Sequence, residues 1–305
     1  MEDLEKILVD IGYTLIDRGN EYRTNALYRG GDNNTSLCIS KKDGRWYDFK
    51  ERVGGRFEEL VKLTLRTDKA GVEKILADKN LSSPVTIIKS PADRENKTKV
   101  FKKEQLGTLV KDHSYWESRG VKKETIKIFD GGIALSGKMK NRYVFPVFNS
   151  REQLVGVSGR TFKPDDPRVK WKHIGIKSNW VYPLQCNLKI IKENKKVILI
   201  ESIGDMLSLW DAGIKNTIVL FGLDASISVL NILIRLNPIK ISISLNNDKS
   251  LAGNEASIKL KKKLNKYFDY NQSEIKLPTK NDFGEMSREE IRDWKLSLDD
   301  KIQKK

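Results

Sequence analysis

The chain has 305 residues and a formal net charge of +16, from 57 Lys and Arg against 41 Asp and Glu. This length allows two or three domains, and a hydrophobic content of 38% can build their cores. The charge favours a polyanionic partner such as nucleic acid, because neutralising phosphates releases their counterions.

Composition also excludes several classes of protein. No apolar run approaches the roughly 18 residues of a membrane-spanning helix, and the N-terminus MEDLEKILVD is acidic, unlike a signal peptide. We therefore expect a cytoplasmic protein with no membrane partner. The two cysteines, Cys38 and Cys186, lie far apart, and only two histidines accompany them, so we expect neither a disulfide framework nor a zinc site.

The first 81 residues predict a small α+β unit. Helical spacing from Leu4 to Ile11 is followed by short extended segments, the turn GGDNN at 30–34 and a strand at 45–49. A further helix is expected after Gly54-Gly55. Residues 82–99, rich in Ser, Pro, Lys and Asn, are typical of a linker.

From residue 100 onward, helical and strand patterns alternate. The predicted helices are 115–129, 204–212, 226–236 and 253–268, and the predicted strands are 142–148, 154–158, 196–201, 217–221, 240–245 and 274–277. Such alternation predicts an α/β fold with a parallel sheet covered by helices. Residues 287–305 predict a final amphipathic helix carrying Ile291, Trp294 and Leu298.

Acidic and amide side chains follow three of these strands. Glu201 comes directly after KVILI, Asn246 and Asp248 after IKISISL, and Asp282 after EIKLP. The carboxyl ends of parallel strands share one edge of a sheet, where ligands bind. Each acid alone could simply cap the following helix, but the whole spaced set favours Mg²⁺ or Mn²⁺.

These segments resemble the Toprim motifs of bacterial-type (DnaG-like) primases. KVILIESIGDM is similar to the first motif, with Glu201 and Asp205 at its acids and Ser202 in place of its Gly. ISLNNDKSL resembles the second, where Asp248 matches and Asn246 replaces an Asp. KNDFGEM resembles the third acidic element through Asp282.

Upstream segments resemble the rest of the primase RNA-polymerase domain. NRYVFPVFN and LVGVSGRTF are similar to its basic motif and carry Arg142 and Arg160, while KWKHI places Lys170 at another basic position. The resemblance covers about 115–290. It implies a basic subdomain at 100–192 and a Toprim subdomain at 193–286, followed by the helix at 287–305.

The N-terminal unit resembles the family's zinc-ribbon, template-binding domain. The four ligand positions hold Leu27, Gly30, Asp48 and Glu51, so we expect a ribbon that has lost its zinc. Core packing is expected to replace the ion, from the aromatic side chains Tyr28, Trp46, Tyr47 and Phe49. Alternatively, Trp46 and Tyr47 stack on template bases.

The resemblance implies a phage-like DNA primase that makes short RNA primers on single-stranded DNA, in the host cytoplasm if a phage encodes it. It implies Mg²⁺ ligation by Glu201, Asn246, Asp248 and Asp282, with Asp205 also catalytic. Arg142, Arg160 and Lys170 would bind ribonucleoside triphosphate or template, and the chain end would meet a replicative helicase. Two alternatives stay open. A Toprim nuclease would carry similar acids, and a non-catalytic DNA-binding adaptor would explain Asn246, because an amide binds metal more weakly than a carboxylate.

Overall fold

The chain folds into two compact units in a computed structural model, which describes residues 2–77, 99–162 and 169–299. The first unit comprises Met1–Lys97, Leu230–Asn237 and Lys262–Asn271. The second comprises Thr98–Val229, Pro238–Lys261 and Gln272–Lys305. Nearly all of the predicted linker lies outside the described residues, and the domain boundaries inferred from sequence stay predictions.

The first unit is built on a five-stranded antiparallel sheet of order β1-β2-β3-β4-β5. Its elements are α1 (Glu2–Asp10), β1 (Ile16–Asp17), β2 (Glu21–Thr24), β3 (Leu37–Ser40), β4 (Trp46–Asp48), β5 (Val53–Gly55), α2 (Phe57–Leu65) and α3 (Lys69–Ala77). Alternation along β4 sends Trp46 and Asp48 to the buried face and Tyr47 to the other. The small α+β unit predicted from sequence therefore has a one-sided sheet.

Two of the four aromatic residues behave as core. Tyr28 and Trp46 are buried and pack edge to face at 5.5 Å. Phe49 is 47% exposed, so its predicted core role is wrong: it follows β4 and lies against half-buried Tyr47 instead. The alternative prediction was that Trp46 and Tyr47 stack on template bases. Trp46 is buried and so is not accessible to a base.

Asp48 stands at a position where the zinc ribbon would have a thiolate ligand, and it lies at the centre of a cluster of polar groups. Its carboxylate accepts hydrogen bonds from Arg29 Nε at 2.6 Å and Tyr28 Oη at 2.7 Å. The backbone N–H groups of Lys50 and Glu51 also donate to it, at 2.9 and 3.2 Å. Burial opposes the charge, yet these hydrogen bonds hold the pKa of Asp48 below its ordinary value.

The second unit contains two four-stranded sheets. The first is antiparallel, with order β6-β7-β8-β9, and the second is parallel, with order β11-β10-β12-β13. In chain order, the elements from Thr98 onward are α4 (Ser114–Glu117), α5 (Lys123–Lys127), β6 (Gly132–Ala134), β7 (Arg142–Phe148), β8 (Leu154–Thr161), β9 (Trp171–Gly175), α6 (Leu184–Asn194), β10 (Lys196–Ile200), α7 (Ile203–Asp211), β11 (Thr217–Val219), α8 (Ile227–Leu236), β12 (Lys240–Ser244), α9 (Ala252–Leu264), β13 (Ser273–Ile275) and α10 (Arg288–Asp299). The predicted α/β class with a parallel sheet is confirmed.

One hydrophobic core joins both sheets of the second unit with α7 and α10. Strand β10 is apolar on both faces because helices and strands cover it on both sides. Helix α10 contributes Ile291 and Trp294 to this core, and Trp294 Nε1 donates to the Leu277 carbonyl. The apolar face that Ile291 and Trp294 form is thus covered within the unit. The side chain of Leu298, the third predicted apolar residue, lies outside the described part of the structure. No helix in the described part of the chain is long and apolar enough to span a membrane.

Candidate active site

A cleft of about 480 Å³ opens in the second unit beside the carboxyl end of β10. Residues from the loop after β10, the loop after β13 and strands β8 and β9 line it. They include Trp116, Arg119, Ser158, Arg160, Lys170, Trp171, His173, Glu201, Ser202, Asp205, Asn246, Asn281, Asp282 and Glu285. Six of the eight site residues predicted from sequence are in this lining; Arg142 and Asp248 are not.

Glu201 occupies the acidic side of the cleft, where β10 ends and α7 begins. Burial raises the pKa of its carboxyl, and the nearby charges of Asp248 and Asp282 raise it further. A hydrogen bond from the Asn246 backbone acts in the opposite direction. Mutual repulsion of this kind is relieved when a cation binds among the carboxylates.

Asp205 connects two loops of the acidic side. It is 3% exposed, and its Oδ2 accepts hydrogen bonds from the Ser202 backbone at 3.1 Å and from Ser202 Oγ at 2.7 Å. Its Oδ1 accepts from the Phe283 backbone at 3.2 Å. Burial, followed by the charge of Asp282, raises the pKa of Asp205 to about 7. Both oxygens are engaged by protein groups, which suits a positioning role better than metal ligation.

The loop after β12 is tied to the loop after β13. The Asn247 backbone N–H donates to Asn281 O at 2.8 Å, and its side-chain amide donates to Pro278 O at 3.2 Å. Gly253 packs so close to the Asn246 backbone that a Cβ would lie 1.9 Å from the carbonyl oxygen. These contacts hold Asn246 at the cleft. Asp248 accepts a hydrogen bond from Ser250 Oγ at 2.7 Å and acts on Glu201 through its charge.

The opposite side of the cleft is cationic. Arg160 Nε donates to Tyr115 Oη at 3.1 Å, and its guanidinium lies 5.5 Å from the centre of the Trp171 ring. Lys170 lines the same side and is exposed. Arg119, in the turn after α4, is a cleft residue to which the sequence analysis gave no role. Its guanidinium lies beside Gly284, next to Asp282.

The position of Arg142 conflicts with the prediction that this residue binds nucleotide or template. The residue is 1% exposed, and its guanidinium donates to the carbonyls of Gly159, Lys170 and Val169 at 2.8–3.2 Å. The guanidinium therefore forms hydrogen bonds with the backbone that leads into β9 and does not face the cleft. A sequence motif marks the residue type but not whether its charge faces solvent or carbonyl oxygens.

The fit of the acidic side to a divalent ion depends on how closely its carboxylates approach one another. Among the described residues, no group of three or more His, Cys, Asp or Glu side chains lies close enough to share a metal. Glu201, Asp248 and Asp282 therefore do not form the joint carboxylate set expected from sequence. Mg²⁺ at nucleotide sites is usually held by one or two carboxylates together with substrate phosphates and water. Glu201 and Asp282, with the Asn246 amide, fit that smaller requirement.

Part of the chain is similar in sequence to known proteins. Residues 198–287 match the Toprim-like family. A DNA primase of Staphylococcus aureus (strain MSSA476) is 29% identical over 125 residues, which are 40% of this chain and 20% of the relative. The chain thus matches only about a fifth of the length of that curated relative.

Solved structures extend the likeness beyond the Toprim segment. The DnaG primase catalytic domain bound to single-stranded DNA covers 65% of this chain and 76% of its own, with 18% identity and a TM-score of 0.55. The Aquifex aeolicus primase, comprising zinc-binding and RNA polymerase domains, covers 97% of this chain and 85% of its own, with 19% identity and a TM-score of 0.52. The chain therefore contains a Toprim-like domain within the fold of a DnaG-type primase catalytic core.

Proposed function

We propose that this protein is a DNA primase, which synthesises short RNA primers on single-stranded DNA by metal-dependent nucleotidyl transfer. The observation that carries the proposal is a single cleft with Glu201, Asn246 and Asp282 on one side and Arg160 and Lys170 on the other. Nucleotidyl transfer needs this pairing, because a hydroxyl attacks the α-phosphate of a triphosphate that a metal ion and cationic side chains would hold, and pyrophosphate leaves. The primase relatives and the shared fold support the same reaction.

The acidic side would hold the ion. Mg²⁺ or Mn²⁺, when bound, offsets phosphate charge and lowers the pKa of the attacking 3′-hydroxyl. Glu201 and Asp282 would supply carboxylate oxygens and Asn246 an amide oxygen, with Asp248 adding negative charge nearby. Asp205 would keep the Asp282 loop against the start of α7.

The cationic side would bind the triphosphate or the template backbone. Arg160 is pre-oriented by Tyr115 and Trp171, so little side-chain entropy is lost on binding. Lys170 and Arg119 would add charge at the same wall. Arg142 would act indirectly, by fixing the carbonyl of Lys170 and so the course of the chain that carries this lysine.

The N-terminal unit would contact the template strand. Phe49 is exposed beside Tyr47, and the Arg23 guanidinium lies 4.5 Å from the centre of the Phe49 ring. Aromatic rings and arginine on one sheet face can stack with unpaired bases without reading their sequence. A replicative helicase as partner stays a prediction from the family resemblance. The burial of Ile291 and Trp294 leaves those two side chains unable to dock it directly.

Primer synthesis on single-stranded DNA with labelled ribonucleotides and Mg²⁺ tests the proposal. We expect short RNA products from the wild type and none from Glu201→Gln, while DNA binding is retained because the cationic residues are separate. Glu193→Gln is the matched control, since Glu193 is exposed at the end of α6. DNA cleavage without synthesis would favour the nuclease, and DNA binding with neither activity would favour the adaptor. Normal synthesis by Glu201→Gln would refute the active-site assignment.

A further inference from the structure

Two uncharged polar residues lie side by side between the charged walls of the cleft. Ser158 on β8 and His173 on β9 are direct cross-strand partners, and both line the cleft. Side chains of such partners project from the same face of the sheet, with Cβ atoms about 4.5–5.5 Å apart. The next pair on that face is Arg160 and Trp171, which places the cationic wall beside them.

One polar atom of each side chain, Ser158 Oγ and His173 Nδ1, is buried and unused by the described protein. Ser158 is fully buried, and no described residue offers a hydrogen-bond partner to its Oγ or to His173 Nδ1. An unsatisfied buried polar group is destabilising, so such groups at a cleft indicate a ligand or water that satisfies them.

The His173 ring is held in place and is neutral. It packs edge to face against Trp180 at 5.9 Å and Phe221 at 5.5 Å, between centroids. Burial, with a smaller contribution from the charge of Lys177, lowers the pKa of His173 to about 4. Near pH 7 one ring nitrogen therefore donates a hydrogen bond and the other accepts one.

We propose that Ser158 and His173 form a ribose subsite, which hydrogen-bonds the sugar hydroxyls of the bound nucleotide and selects ribonucleotides over 2′-deoxyribonucleotides. The inference rests on the proposed primase function. Arg160 and Lys170 would bind the triphosphate, and the acidic side would bind the ion. The base would pair with the template. The sugar hydroxyl is the remaining neutral group. It can both donate and accept, as the serine hydroxyl and the neutral imidazole require.

The test compares kcat/KM for ATP and 2′-deoxyATP on one template. Ser158→Ala removes only the hydroxyl, and His173→Phe removes the ring nitrogens while keeping a ring against Trp180 and Phe221. We expect each variant to lower the preference for ATP about tenfold, through a loss on ATP and no change on 2′-deoxyATP. Ser244→Ala is the matched control, because Ser244 is equally buried but does not line the cleft. Its preference should equal that of the wild type.

Other outcomes overturn the inference in distinct ways. An equal loss on both nucleotides would indicate a structural role, and an altered preference among the four bases would indicate a base contact. If the wild type makes no RNA, the proposed function fails, and equilibrium binding of ATP and 2′-deoxyATP to the full chain decides the subsite separately. Ser158→Ala keeps the test valid if His173→Phe does not fold, since the lost hydroxyl has no described protein partner.

Discussion

The Asp205 carboxylate accepts a hydrogen bond from the backbone N–H of Phe283 at 3.2 Å, joining the first turn of α7 to the loop that carries Asp282. The same carboxylate also caps α7 through Ser202. One buried side chain therefore sets the separation of the two loops on the acidic side. This arrangement makes the geometry at Glu201 and Asp282 dependent on a residue that need not touch the ion.

Restoring a carboxylate at position 246 should strengthen metal binding. Asn246 lines the cleft beside the charges of Glu201 and Asp282, and a carboxylate attracts a divalent ion more strongly than an amide. We expect Asn246→Asp to lower the Mg²⁺ concentration for half-maximal primer synthesis about three- to tenfold. Asn194→Asp is the control, because Asn194 is exposed at the end of α6 and does not line the cleft. An unchanged Mg²⁺ requirement in Asn246→Asp would remove position 246 from the metal site.

Arg142 and Arg160 should differ in what their loss affects. Arg142→Ala removes a nearly fully buried guanidinium that donates to three backbone carbonyls, so we expect the free energy of unfolding to fall by about 2–4 kcal/mol. Arg160→Ala should leave unfolding nearly unchanged and weaken nucleotide or template binding by about 1–3 kcal/mol. Urea unfolding and binding titrations separate the two effects. Arg151→Ala, in the exposed turn between β7 and β8, should change neither. Weakened binding by Arg142→Ala with unaltered stability would restore it to the binding residues.

The fold and the acidic edge were predictable because their signals are local. The apolar run KVILI predicts a buried strand, and Glu201, which follows it directly, is thereby predicted to lie at the end of that strand. The burial of Arg142 was not predictable in this way. It depends on carbonyls of Gly159 and of 169–170, which reach it only after β7 and β8 pair. Arg119 was missed for the same reason: its nearness to Gly284 is a tertiary contact.

The exposed ring of Phe49 should contribute to single-strand binding. Stacking of a base on an aromatic ring is worth about 1–3 kcal/mol, so Phe49→Ala should weaken binding of single-stranded DNA about tenfold. Fluorescence anisotropy at two salt concentrations measures the effect, which should persist at the higher salt because stacking is not ionic. Tyr270→Ala is the matched control, since Tyr270 is an exposed aromatic residue in the same unit. An equal loss in both variants would argue against a specific stacking site.

His173 should make stability depend on pH. Its folded pKa of about 4 lies below the ordinary value of 6.5, so the unfolded chain binds the proton more readily between these values. Stability is therefore fully present above about pH 6.5 and declines as the pH falls toward 4. Partial exposure screens the effect, and we expect His173 to account for about 1–2 kcal/mol of the decline. His173→Phe should flatten this part of a urea-unfolding profile between pH 4.5 and 7.5. An unchanged slope would show that the imidazole is not shielded from solvent.

The last prediction concerns Asp48, which holds the N-terminal unit together where the resembling domain uses zinc. Asp48→Ala leaves the Arg29 guanidinium buried without its carboxylate, since side-chain exposure is 6% for Arg29 and 0% for Asp48. Breaking a buried pair in this way costs about 3–5 kcal/mol, so we expect the unit to unfold first on heating. Asp17→Ala is the matched control, because the Asp17 carboxylate pairs with Lys41 but is 66% exposed, and it should leave stability nearly unchanged.

Elemental analysis and a chelator complete the test of Asp48. Because its oxygens already accept hydrogen bonds from Arg29, Tyr28 and two backbone N–H groups, we expect no tightly held zinc in the purified protein. EDTA should accordingly leave the melting temperature of the N-terminal unit unchanged. One zinc per chain, or melting that EDTA lowers, would contradict the replacement of the ion by this polar cluster. If Asp48→Ala melts like the wild type, the cluster is not what stabilises the unit, whatever the zinc content.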